Sequence, residues 1–180
     1  MPIASTDLLY KYSVTTGAAG NTAAGTAVGS NGKYISTTAV VDATLDNLFD
    51  DVTGTENAAA NTDYRCLFVH NNHATLILQR AVVWLAAEVA GGANTAIATD
   101  TVGVTAIGSA AAQATTIINE DTGPVGVSAF SSPSTKATGL SVGDIPAGSC
   151  VAIWVRRTAA NSPAQNLDGV TLRVEGDSAA

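Results

Sequence analysis

Cys150-Val151-Ala152-Ile153-Trp154-Val155-Arg156-Arg157 is the stretch on which the fold reading turns. It is rich in β-branched and aromatic residues, which suit a pleated strand. Strand side chains alternate between faces. Val151, Ile153 and Val155 therefore share one face, and Cys150, Ala152, Trp154 and Arg156 the other. Just upstream, Asp144-Ile145-Pro146-Ala147-Gly148 carries Pro and Gly where a turn uses them. Downstream, 161–169 is polar. Val170 to Glu175 then alternates cleanly, with Val170, Leu172 and Val174 inward and Thr171, Arg173 and Glu175 outward.

Moving toward the N-terminus, Tyr64-Arg65-Cys66-Leu67-Phe68-Val69-His70 is a second, nearly continuous apolar strand. Asn71-Asn72-His73-Ala74 reads as a hairpin connection to a strand over Thr75–Leu85. The spacing of Leu78, Val82, Leu85 and Val89 also suits a helix, but Ile77, Val82, Val83 and Trp84 favour the strand. Lys33 to Val41 predicts a short strand, and Leu45–Phe49 one helical turn before a polar loop at 53–62. Residues 91–133, rich in Ala, Thr and Gly, hold short extended pieces around Ile97, Val102–Ile107, Thr115–Ile118 and Val125–Phe130. Many short strands separated by Gly and Asn turns predict an all-β fold, a β-sandwich of jelly-roll or Ig-like type.

Residues 15–32 have little to bury and much entropy to lose on ordering. The reading is therefore an extended N-terminal arm at 1–32 and a β-sandwich domain at 33–180. Leu8, Leu9, Tyr10 and Tyr12 are the candidate partner-anchoring residues of that arm. The competing reading makes Leu8–Val14 an edge strand of its own domain.

With 180 residues and 18.0 kDa, the chain fits one ordinary domain. Hydrophobic residues reach 46%, but 33 are alanine, so the core must come mainly from Val, Ile and Leu. Charged residues make up only 13%, half the ~25% usual in soluble domains, so the surface must be small, hydroxylated and weakly charged. Eight scattered cations against 15 carboxylates give a net charge of −7. Nucleic-acid backbones need clustered cations, and so do anionic membranes, so neither is an expected partner. There is no basic, apolar leader and no uninterrupted span of ~18 apolar residues, which predicts a soluble protein made in the cytosol.

Residues able to carry chemistry are few. His70 and His73 lack a third ligand nearby in sequence, and read as polar residues at a hairpin end. Cys66 and Cys150 lie in apolar runs, which leaves a disulfide open but favours two buried thiols. Asp46, Asp50 and Asp51 form the densest acidic group without the spacing of a calcium loop. Neither a P-loop nor a Gly-x-Ser-x-Gly elbow is present. Trp84 and Trp154 sit in apolar runs, where packing explains them better than ligand binding. The expectation is a non-enzyme with no catalytic residue, cofactor or metal.

Two segments carry a resemblance. One is Tyr64-Arg-Cys-Leu-Phe-Val-His-Asn-Asn-His-Ala-Thr-Leu with Val82-Val83-Trp84. The other is Gly143-Asp-Ile-Pro-Ala-Gly-Ser-Cys-Val-Ala-Ile-Trp-Val-Arg-Arg-Thr with Asp168-Gly-Val-Thr-Leu-Arg-Val-Glu-Gly-Asp. Together they resemble small virion structural proteins of tailed bacteriophages, of the capsid decoration or cement kind. The resemblance implies a β-sandwich body, a major capsid protein lattice as partner, a homo-oligomer such as a trimer, and a place on the capsid exterior after synthesis in the host cytoplasm. A tail, neck or fibre component is the alternative. A carbohydrate-binding β-sandwich is a further one, disfavoured by an aromatic content of 5%.

Overall fold

The computed structural model describes residues 2–178. Its strands, in chain order, are β1 (Leu8–Val14), β2 (Tyr34–Ala39), β3 (Thr62–Asn71), β4 (Leu78–Glu88), β5 (Asn94–Thr99), β6 (Thr105–Ala106), β7 (Leu140–Ile145), β8 (Ser149–Thr158) and β9 (Val170–Ser178). One short helix, α1, spans Gly54–Ala59.

The two most apolar runs of the sequence become neighbours. β3 and β8 pair antiparallel in unbroken register, from Thr62 opposite Thr158 to Asn71 opposite Ser149. β1 and then β2 extend the sheet beyond β3, while β5 and β6 pair with the other edge of β8. A second, three-stranded sheet has the order β7-β4-β9. The sheets pack face to face, as expected for a β-sandwich. Leu67, Val69, Val151, Ile153 and Val155 from the larger sheet meet Leu78, Ala81, Val83, Leu85 and Ile145 from the smaller one.

The alternation read at 150–157 holds, but neither face is open. Cys150, Ala152 and Trp154 form a second core with Ile35, Cys66, Phe68, Ala98, Ala114 and Ile117. Burial on both faces explains why β3 and β8 read as continuous apolar runs. By contrast, β9 is half-buried on Val170, Leu172 and Val174 and exposed on Thr171, Arg173 and Glu175, as its alternation predicts.

Several local expectations are corrected. β3 and β4 do not form a hairpin: β4 pairs with β7 and β9, and 72–77 carries the chain from one sheet to the other. Buried Asn71 secures this arch, its side-chain amide donating to Leu76 O and Ile145 O, both at 2.8 Å. Asn-Asn-His does mark a reversal, but a reversal within a sheet and one between sheets share the same turn residues. Leu45–Phe49 forms turns, with Asp46 at φ 54°, rather than a helical turn. The helix comes later, at α1, where Thr53 and Glu56 form a reciprocal capping box.

Residues 1–32 are not a separate arm. β1 is an interior strand, with Leu8 to Tyr12 opposite Asn71 to Leu67 on one side and Val14 opposite Tyr34 on the other. The expected boundary at 32/33 thus falls between two paired strands of one sheet. The Gly-rich stretch folds back along the body, with Asn21 N donating to Ile35 O at 2.7 Å and Cys66 N donating to Ser30 O at 2.8 Å. Its ordering entropy is offset by backbone bonds that the composition does not reveal.

Two outcomes follow. Ile153 is fully buried, so Ile153→Ala should cost about 2–5 kcal/mol in chemical denaturation, and Thr171→Ala on the exposed face of β9 within about 0.5 kcal/mol. A chain starting at Lys33 lacks β1 and should show no cooperative thermal transition by circular dichroism.

Candidate interaction surface

The outer face of the larger sheet is covered by chain without regular strands. Residues 107–131 run across it, pinned by two buried polar side chains. Gln113, fully buried, accepts from Ile35 N through Oε1 at 3.0 Å. Its Nε2 donates to Thr105 Oγ1 at 3.1 Å and to Ala106 O at 2.8 Å. Asp100, 4% exposed, accepts from Trp154 Nε1 at 2.9 Å and Thr115 N at 2.7 Å through Oδ2, and from Val102 N at 2.9 Å through Oδ1. Backbone bonds add to these pins: Gln113 N donates to Lys33 O at 2.7 Å and Ile117 N to Asn31 O at 3.1 Å. Gly32 permits the contact, because its φ is 90° and a Cβ there would stand 1.9 Å from Thr115 O.

The result is an ordered loop surface that turns apolar side chains into solvent. Ile118 is 92% exposed and Val125 84% exposed. Between them lie Asn119, Glu120, Asp121, Thr122, Gly123 and Pro124, of which Glu120 is paired with Arg65 and Asp121 is exposed.

A charged cluster closes one end of the sandwich. Arg157 donates to Asp63 Oδ2 through Nε at 2.9 Å and Nη2 at 2.7 Å, and also to the backbone oxygen of Asp50. Its guanidinium lies 4.8 Å from the ring centroid of Phe49. Arg65, buried, pairs with Glu120 and donates to Leu48 O at 3.3 Å. These arginines tie the 42–52 loop and the covering segment to the sheet. Asp50 is therefore a partner of Arg157, while Asp46 is an exposed turn residue and Asp51 is exposed ahead of α1.

The residues singled out from sequence fall elsewhere. Leu8 and Tyr10 pack against the inner core and Tyr12 lies within it, its hydroxyl donating to Asn47 O at 2.6 Å. Leu9 stands opposite His70. All four belong to an interior strand rather than to a free arm. Burial pushes the Tyr10 hydroxyl well above its ordinary pKa and raises that of Tyr12. Trp84 and Trp154 are both buried.

Cys66 lies opposite Trp154, and Cys150 opposite His70. Four residues of strand therefore separate them, ~13 Å at strand rise, beyond disulfide reach. Both thiols are free and buried, and burial raises their pKa, that of Cys150 to about 11. His73 Nδ1 accepts from Thr75 N at 3.1 Å and Leu76 N at 2.9 Å, a turn role. Among the described residues, no group of three or more His, Cys, Asp or Glu could hold a metal, and no helix is long and apolar enough to cross a membrane.

Comparison with family models, curated proteins and solved structures finds no match to this chain. The covering segment is what sequence reasoning missed. Its available signals were two polar residues, Asp100 and Gln113, set within small apolar ones.

Asp100→Ala should cost about 1–3 kcal/mol by stranding buried donors, and should speed thiol labelling of Cys66 and Cys150 under native conditions. His70 supplies a pH test. Its Nδ1 is buried without a partner, and burial, then the Lys11 ammonium on β1, push its pKa down from 6.5 to about 4. The unfolded chain therefore takes up the proton first. Stability should be full above pH 6.5 and fall as pH drops toward 4. His70→Gln should flatten that part of a stability-versus-pH curve.

Proposed function

We propose that this chain is a non-enzymatic structural protein of a phage virion that decorates and stabilises the assembled capsid. One observation carries the binding role: residues 107–131 form a long segment without regular strands that is nonetheless pinned by buried Gln113 and Asp100. Long structureless segments in compact domains are usually either disordered or functional. This one is ordered, and it holds Ile118 and Val125 in solvent. An ordered surface that holds apolar side chains in solvent suits contact with another protein.

The capsid as partner rests on the resemblance to decoration proteins; its segments supply β3, β8 and β9 and parts of β4 and β7. The mechanism is linkage. A protein that binds the assembled lattice but not dissociated subunits stabilises the lattice by mass action. No active site, cofactor or nucleic-acid patch is needed.

The test adds purified protein to undecorated capsids and measures occupancy by particle reconstruction. Ile118→Asp and Val125→Asp should each lower occupancy severalfold while leaving the melting temperature within about 2 °C, because both side chains are exposed. A chain found once per tail would overturn the capsid reading.

A further inference from the structure

The chain closes the edges of its larger sheet. Along β2, Asn21 N donates to Ile35 O at 2.7 Å and Thr37 N to Ala23 O at 2.9 Å. Along β5, Ile97 and Ser131 exchange both backbone bonds, at 2.8 and 3.0 Å, and Ser128 N donates to Thr99 O at 2.9 Å. In the smaller sheet, β7 is a six-residue edge with Gly143 at φ 77°. β9 is different. It runs nine residues and pairs with β4 on one side only, with no proline or left-handed residue and no backbone partner along its other edge among the described residues. Exposed edges are templates for strand pairing, and proteins usually blunt them with proline, bulges or covering chain.

We propose that the β9 edge pairs antiparallel with the same edge of a second copy, about a two-fold axis at Val174. Two three-stranded sheets would then join into one of six strands. Charge pattern selects both the occupant and the register. Centred on Val174, the pairing aligns all nine residues, Val170 opposite Ser178 through Val174 opposite itself. Arg173 then faces Glu175 of the second copy, and by symmetry Glu175 faces its Arg173. Both are exposed on the outer face of the sheet. Moving the axis by one residue sets Arg173 against itself or Glu175 against itself, and like charges directly opposite are unfavourable. Registers between these exchange the inner and outer faces.

Arg173 suits this use because it has no carboxylate partner within its own chain among the described residues. Glu175 makes one exposed contact, to Lys136 Nζ at 3.3 Å, which leaves its other oxygen free to accept. An isologous contact of this kind closes at two copies. It does not depend on the capsid reading.

Sedimentation equilibrium on the purified full chain tests the interface. The wild type should form a concentration-dependent dimer. Arg173→Glu and Glu175→Arg should each weaken it by about tenfold or more, since each sets like charges opposite one another. The double variant R173E/E175R should restore the wild-type constant to within about threefold. Circular dichroism checks that every variant is folded, as expected for two exposed side chains. A wild type that stays monomeric at hundreds of micromolar would overturn the proposal. So would an oligomer indifferent to the single reversals, or a double variant no better than either single one.

Discussion

Two-sided burial of the β3–β8 pair is the constraint from which the rest of this structure follows. Ten residues of each strand pair without a break, and apolar side chains leave both faces of that ladder. Each face must be removed from water by something else. The smaller sheet covers one face. The other is covered by 107–131 together with the Gly-rich return of 15–32, which has no hydrophobic run of its own to drive it there.

That second cover is held by polar contacts at low accessibility. Gln113 uses both ends of its amide, and Asp100 accepts three hydrogen bonds, one from the indole of the most deeply buried tryptophan. Buried polar groups are costly when unpaired, so a fully paired carboxamide and carboxylate select one arrangement of the loops over many. The arginines at the end of the sandwich act similarly. Arg65 and Arg157 hold two loops through carboxylates and backbone oxygens, and Phe49 covers the Arg157 guanidinium. Few charges are present, and several of them are spent on internal order.

The consequence is that several groups able to carry chemistry lie inside. Its cysteines, tryptophans and His70 are packed, and its exposed apolar side chains sit on ordered loops. The surface carries exposed carboxylates, a few cations and aliphatic side chains, and, among the described residues, a β9 edge without a backbone partner.

The sequence by itself determined that the chain is a β-sandwich, where most core strands lie and which residues of 150–157 and 170–175 share a face. Those properties are local: they depend on side-chain volume, β-branching and a period of two. It also contains the Thr53–Glu56 cap, set in a stretch whose polar composition reads as a loop. Which strands pair, and what covers the second face, only the tertiary structure decided. Asn71–Ala74 looks the same whether it closes a hairpin or bridges two sheets. Leu8–Val14 looks the same as a tether anchor or as an interior strand, because the backbone partners that settle it lie on β2 and β3, at least 20 residues away in the chain. The covering segment is the least legible of all. A loop rich in Ala, Thr and Gly carries no periodic signal, and its order comes from Asp100, Gln113 and Trp154 meeting across distances that no local pattern encodes.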